Sequence, residues 1–310
     1  MTYNLAMRAA VQPASIKFQA FLFGAMRLER NGKDCTLPAS VVARSLLACL
    51  LFNRQTPQTR DTLLGIFWPE MSEERARRAL SQALWHIRHA FPDLLDVNSE
   101  TISISNGITL WVDTEAFERM ITPALDAAPL DETARQNLEQ ALELFRADFL
   151  GDSYHDWALL ERERLRELHL QALEQLGQLE KAAGRYAKAL ELALRLSRAD
   201  PLNETAHREI MRLHQLLGQP EAAARQFEVC RQTLRQELDV APEPETIALA
   251  EEISQRAEAR SSAAESGKER GNLVPAPLVG RKKTAPRCST LWRASSTNWA
   301  ASSWWKAKQG

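Results

Sequence analysis

The sequence predicts a mainly α-helical protein, with small β-sheets and three helices at its N-terminal end and an all-α segment behind them. Three observations predict it. Apolar residues alternate from Phe18 onward and again between Leu95 and Val112, the period of half-buried strands. Between those stretches they recur at helical spacing, as in Leu80, Leu84, Ile87 and Phe91, with Ala76 and Ala83 beside them. From Asp113 to about Arg256 the helical period runs almost unbroken.

Residues 1–16 read as a loose leader. Phe-Gln-Ala-Phe-Leu-Phe from Phe18 and Met-Arg-Leu-Glu-Arg from Met26 alternate, and Asn31-Gly32 marks a tight two-residue hairpin turn because both central positions need positive φ. Val41 to Phe52 is apolar enough to be a core helix. A second helix runs from about Arg60 to Phe67 and ends at Trp68-Pro69, since proline disfavours the helical conformation before it. The third starts after Ser72, the expected N-cap, with Glu73 and Glu74 suiting the positive end of the helix dipole. Pro92 stops it. Leu95–Val97, Thr101–Ile104 and Ile108–Val112 are short strands that turn at Asn98-Ser99 and Asn106-Gly107. Sheet, three helices, hairpin is the order of a winged helix-turn-helix over residues 17–112, in which the third helix enters the DNA major groove and the hairpin wing touches the backbone.

On that third helix Arg75, Arg78, Gln82, His86 and His89 fall on the side away from the apolar stripe. A helix that buries one face and offers Arg, Gln and His on the other suits the major groove; a plain solvated polar face is the alternative. Charge favours the first reading. Between Lys17 and Pro92 basic residues outnumber acidic ones by 11 to 6, although the whole chain carries a net charge of −1, which excludes a globally basic binder.

Within the helical segment, residues 113–257, lies a repeat of period 34: Gly184-Arg-Tyr-Ala-Lys-Ala recurs as Gly218-Gln-Pro-Glu-Ala-Ala. The first unit adds Gly177, Ala189 and Pro201, the tetratricopeptide spacing of glycine, small residue and terminal proline, where small residues let two helices pack closely. The second unit lacks the final proline. Such arrays bind other proteins along a concave face rather than doing chemistry. Polar, charged residues over 258–281 read as a linker.

Several motifs then resemble one family. Leu63-Leu64-x-Ile-Phe-Trp-Pro-Glu, the Ser-x-Glu-x-Ala-Arg-x-Ala-Leu-x-x-Ala-Leu-x-x-Ile-Arg run from Ser72, and Trp111-Val-Asp-x-x-x-Phe-Glu resemble SARP-type transcriptional activators. Asp148-Phe-Leu-Gly-Asp-Ser-Tyr-His-Asp-Trp157, Glu161-Arg-Glu-Arg-Leu-Arg-Glu-Leu168, Asp200-Pro-Leu-Asn-Glu-x-Ala-His-Arg208 and Pro242-Glu-Pro-Glu-Thr246 resemble their bacterial transcriptional activator domain. The resemblance spans roughly residues 18–256. It implies sequence-specific binding to double-stranded promoter DNA, often at direct repeats, and help to RNA polymerase; a homodimer on DNA is left open. One departure is that basic residues common before the first helix are replaced here by Val41-Val42 and Arg44.

Compared with the related output domains of response regulators, Arg78, Gln82, Trp85 and His86 fall on groove-facing positions. Gln82 is the expected base reader, since an amide pairs bidentately with adenine. Arg75 and Arg78 are expected to hold phosphates. Trp85 stacks on the wing or lies against the DNA backbone or a thymine methyl. His86 and His89 either donate to phosphate or are surface histidines, and Arg88, beside the buried stripe, is as readily an ion-pair partner.

Other functions find little support. Cys35, Cys49, Cys230 and Cys288 form no close pair and no zinc spacing. Neither a signal peptide nor a run of about 18 apolar residues is present, so a cytoplasmic protein with no membrane partner is expected. Asp152, His155, Asp156 and Trp157 have no second ligand cluster and read as packing and capping residues. No catalytic arrangement rises above chance, so the expectation is no enzyme, no cofactor and no metal. A tetratricopeptide-type adaptor, or an inert truncated product, is the rival reading.

The last stretch departs from this pattern. Pro277-Leu-Val-Gly-Arg281 resembles the lead-in to a nucleotide-binding ATPase domain, but four of the chain's eight tryptophans follow: Trp292, Trp299, Trp304 and Trp305. Tryptophan has the single codon TGG, and shifting the frame to the third base of each codon gives apolar-Val-Glu over Ser303 to Lys306 and permits Gly-x-Ala-Gly after it, which resembles a strand leading into a P-loop; an unrelated tail is the rival. The expectation is a frameshift near Lys282–Lys283, a chain truncated before its ATPase domain, and disorder over 282–310.

Overall fold

β1 (Ile16–Phe21) is the centre of an N-terminal sheet that the chain closes from both sides. Its inward side chains Phe18 and Ala20 are buried while Lys17 and Gln19 face out, as the alternation requires. β1 runs antiparallel to β2 (Arg27–Arg30), with Phe18 opposite Arg30. The Asn31-Gly32 turn, with φ of 52° and 77°, leads into β3 (Lys33–Asp34). These strands belong to a computed structural model that describes residues 16–126 and 131–270. The leader up to residue 15 lies outside the described residues.

Next come α1 (Val41–Phe52), a short strand β4 (Gln58–Thr59), α2 (Arg60–Phe67), α3 (Glu73–Ala90), β5 (Leu95–Val97), β6 (Thr101–Ile104) and β7 (Ile108–Val112). The expected three-strand C-terminal hairpin is corrected here. β5 and β6 form the wing together with β4, in the order β4-β6-β5, whereas β7 leaves it and pairs in parallel with β1, Phe18 facing Leu110. The cause lies at the end of β7. The buried carboxylate of Asp113 accepts the backbone N–H of Leu22 at 2.9 Å and of Phe23 at 3.0 Å, which holds β7 against the end of β1.

The rest is helical: α4 (Asp113–Leu125), α5 (Glu132–Leu144), α6 (Asp156–Ala182), α7 (Tyr186–Ala199), α8 (Glu204–Leu216), α9 (Pro220–Glu237) and α10 (Pro244–Arg270). The period of 34 is visible as two identical helix ends. At Gly184 (φ 73°) the N–H bonds to Lys181 O and the next N–H to Glu180 O; at Gly218 (φ 72°) the same two bonds run to Gln215 O and His214 O. Both are Schellman caps, which need a left-handed residue. Ala189 is buried as the repeat demands, but a Cβ on Gly177 would meet Leu192 Cβ at 3.9 Å, an ordinary contact, so glycine is not required there.

The two stretches divided at residue 112 share one hydrophobic core running from Phe18 to Ala206. Residues 148–151 are stitched to the N-terminal sheet: Leu150 N–H donates to Leu22 O, Gly24 N–H to Asp148 O and Gly151 N–H to Gly24 O. Arg162 on α6 fixes that stretch by donating to the carbonyls of Phe149 (2.7 Å), Leu150 and Ser153 (2.9 Å). Farther along, two motifs distant in sequence meet. Arg208 donates to Glu243 at 2.6 Å, and Glu204 accepts from the Thr246 hydroxyl at 2.6 Å. The linker expected over 258–281 is partly helix, because α10 runs to Arg270 through good helix formers such as Ala, Glu and Arg. Its remainder and the 282–310 tail lie outside the described residues.

Candidate nucleic-acid interface

α3 is held from below and open above. Ala76, Leu80, Ala83, Leu84 and Ile87 are buried in the core. Arg75, Arg78, Gln82, Trp85 and His89 are exposed on the opposite side, and His86 is half-buried at its edge. All six residues singled out from the sequence therefore share one face of one helix. The helix starts after Ser72, whose hydroxyl makes no capping bond, contrary to expectation. Glu73 and Glu74 in the first turn serve the dipole in its place. The preceding turn is fixed by buried Trp68 and by the Met71 N–H bonding to Trp68 O at 3.2 Å. On α2, Thr59 caps properly, accepting from Thr62 N–H at 3.1 Å.

The charges on this face are not equally available. Arg78 is paired with Glu74, and Arg77 with Glu73 at 2.6 Å and Asp61 at 3.9 Å. The side chains of Arg75, Gln82 and Arg88 make no hydrogen bond or ion pair among the described residues, so Arg88 has no ion-pair partner there. Arg44, in the first turn of α1, donates to the carbonyls of Pro38 and Ala39 at 3.1 and 3.0 Å and is committed to the loop before its helix.

Trp85 borders the same cleft as Val97 of the wing, and its ring partners are on its own helix. Its indole lies parallel to the His89 ring, with centroids 5.2 Å apart and 11° between planes, and meets His86 edge-on at 5.0 Å. A cleft lies on each side of this ridge. One is lined by Arg60, Ser81, Arg88 and Val97 of the wing. The other is lined by Arg30, Leu37, His86 and Phe91.

Arg60 was not anticipated. Its guanidinium donates to Asn98 O at 3.0 and 3.2 Å and its N–H to Glu100 O at 3.0 Å, tying the wing tip to the start of α2. The Asn98 side chain in turn accepts from Glu100 and Thr101 N–H at 2.8 and 2.7 Å. Asn98 was legible as a turn residue; the arginine that holds it was not, because the pairing joins positions 38 apart.

A second concavity lies in the helical repeats, a 260 Å³ groove between α6, α7 and α8. Leu173, Ala193 and Leu196 form its apolar lining, and Gln178, Glu209 and Arg212 its polar part. Among the described residues no group of three or more His, Cys, Asp or Glu side chains is placed to hold a metal ion. His155, from the cluster weighed as a ligand set, instead packs its ring against Phe67. No described helix is long and apolar enough to cross a membrane.

Residues 112–254 match the model of the bacterial transcriptional activator domain. The chain is 27% identical over 262 residues to "Regulatory protein AfsR" of Streptomyces coelicolor, covering 83% of this chain and 26% of that protein. It is 27% identical over 239 residues to "Transcriptional regulatory protein MoaR1" of Mycobacterium tuberculosis, covering 73% of this chain and 76% of that one. The chain thus spans about a quarter of the length of the first relative. Among solved structures, Mycobacterium tuberculosis EmbR in complex with a low affinity phosphopeptide aligns with a TM-score of 0.60 over 83% of this chain and 71% of that chain, at 21% identity. That likeness is one of fold.

Proposed function

We propose that this chain, whose residues 112–254 match the bacterial transcriptional activator domain and which is similar to transcriptional regulators, is a SARP-type regulator that binds promoter DNA sequence-specifically through α3. The observation that carries this reading is the single exposed face of α3, with Arg75, Arg78, Gln82, Trp85 and His89 opposite a fully buried stripe. α3 lies in the major groove, Gln82 pairs with adenine, and Arg75 and Arg78 hold phosphates, which fix register without reading sequence. His86 and His89 add donors at the groove edge. The wing, pinned by Arg60, rests on the backbone. The helical repeats supply the activating contact: the groove between α6 and α8 takes a segment of an effector or of RNA polymerase.

The test is binding of the full chain to its own upstream promoter duplex and to a scrambled duplex across a salt series. The expected result is preference for the promoter with a steep salt dependence. Gln82→Ala relaxes the preference by about 1–3 kcal/mol at one position, and Arg78→Ala weakens both duplexes alike. A folded protein that binds neither duplex at low salt overturns the reading and leaves the repeats as the working part.

A further inference from the structure

We propose that Trp85 recognises the 5-methyl group of thymine, and so makes α3 selective for thymine within its site. The inference rests on the DNA-binding reading above. Trp85 stands at the crest of the α3 face, 60% exposed, between neighbours Leu84 and Ile87 that are buried. An indole left in water forfeits the burial of a large apolar surface, so its position asks for an apolar partner. Its own helix holds it in place. His89 stacks on it at 5.2 Å and His86 abuts it at 5.0 Å, so the ring projects from α3 as a braced surface rather than a loose side chain.

The major groove narrows the choice of partner. Base edges there offer donors and acceptors, and one apolar group, the C5 methyl of thymine. An indole carries a single donor and no acceptor, so its faces match the methyl and not the polar edges. Gln82 lies three residues earlier on the same side of the helix, with no hydrogen bond inside the protein among the described residues. An amide suits adenine, so the two side chains together read A·T pairs, one through adenine and one through its partner base. Trp85 itself borders the cleft that Arg60 and Arg88 line, so two cations stand beside the indole where a strand would pass.

The experiment selects the tightest-bound duplex from a random-sequence pool with the full chain, then replaces its thymines one at a time by deoxyuridine. That change deletes the methyl and keeps the base pair and backbone. The expected result is one or two positions where deoxyuridine binds about fourfold more weakly, the value of one buried methyl group. Trp85→Ala binds thymine and deoxyuridine alike at those positions with an unchanged salt slope, and Trp85→Phe keeps part of the discrimination. Trp85 is exposed, and an unchanged thermal melt of Trp85→Ala checks that its fold is intact. Deoxyuridine tolerated at every position, or discrimination that survives Trp85→Ala, overturns the inference while the DNA-binding reading stands. A pool that yields no selected duplex overturns both.

Discussion

The ring of His155, which precedes α6, meets the ring of Phe67, the last residue of α2, edge-on with centroids 5.0 Å apart. Burial lowers the pKa of this imidazole from its ordinary value, against the opposing charge of Asp156. The contact joins the helix-turn-helix to the repeats inside the common core. The expected outcome is one cooperative thermal transition for residues 16–261, seen alike by tryptophan fluorescence and far-ultraviolet dichroism. Phe67→Ala should cost about 3–5 kcal/mol and lower both signals together. Two separated transitions would show that the parts fold independently.

Asp113 carries a second joint. Asp113→Ala removes the acceptor for the Leu22 and Phe23 N–H groups and strands them in the core. A loss of about 3 kcal/mol in urea-unfolding free energy follows from one to three for each unpaired group. A change below about 1 kcal/mol would mean that another acceptor steps in.

Glu74 masks Arg78. Glu74→Gln should tighten DNA binding about threefold or more at low salt, because Arg78 no longer gives up its pair with Glu74 to reach a phosphate, while the slope of log K against log salt stays that of the same contact. Unchanged affinity would mean that the pair with Glu74 costs Arg78 nothing on DNA.

Arg88 and Arg60 line one cleft yet differ in duty. Arg88→Ala should flatten the salt slope by about 0.9 and leave the melting temperature alone, since the side chain has no hydrogen-bond or ion-pair partner among the described residues. Arg60→Ala should lower stability by about 1 kcal/mol or more, because it frees the Asn98 carbonyl and the wing tip. Equal effects on stability would contradict the division.

His169 stacks on Phe145 at 3.9 Å, with its Nδ1 buried and without a hydrogen-bond partner among the described residues. Burial first, and the charge of Arg195 second, lower its pKa from 6.5 to about 4. A base whose folded pKa is depressed lends stability above its unfolded value, and that stability is lost as pH falls from about 6.5 toward 4. Urea titrations should show about 2 kcal/mol less stability at pH 5 than at pH 7 from this group. His169→Phe should remove that share of the pH dependence.

Much of this was legible in the sequence because it depends on neighbours along the chain. The bounds of α1 and α2 follow from apolar spacing, Thr59 and Trp68-Pro69, and the positive φ at Asn31 and Gly32 follows from their residue types. The six residues of the α3 face needed only the helical period. What stayed hidden was set by distant pairings. β7 alternates equally well for either sheet, and a carboxylate 91 residues from Leu22 decides between them. The masking of Arg78 was within reach, being an i,i+4 pair. The stack of Trp85 on His89 was equally local, but rotamers are not written in the spacing.

The stitching of residues 148–151 to the N-terminal sheet ties α3 and the repeats together at that point. If α3 binds DNA as proposed, such a body would act as an arm bolted to the duplex at a fixed azimuth. Moving its site by about five base pairs, half a helical turn, would swing the repeats to the opposite side of the double helix. Promoter spacing would then govern activation in steps of about ten base pairs, with troughs between, while affinity for the site itself stayed constant.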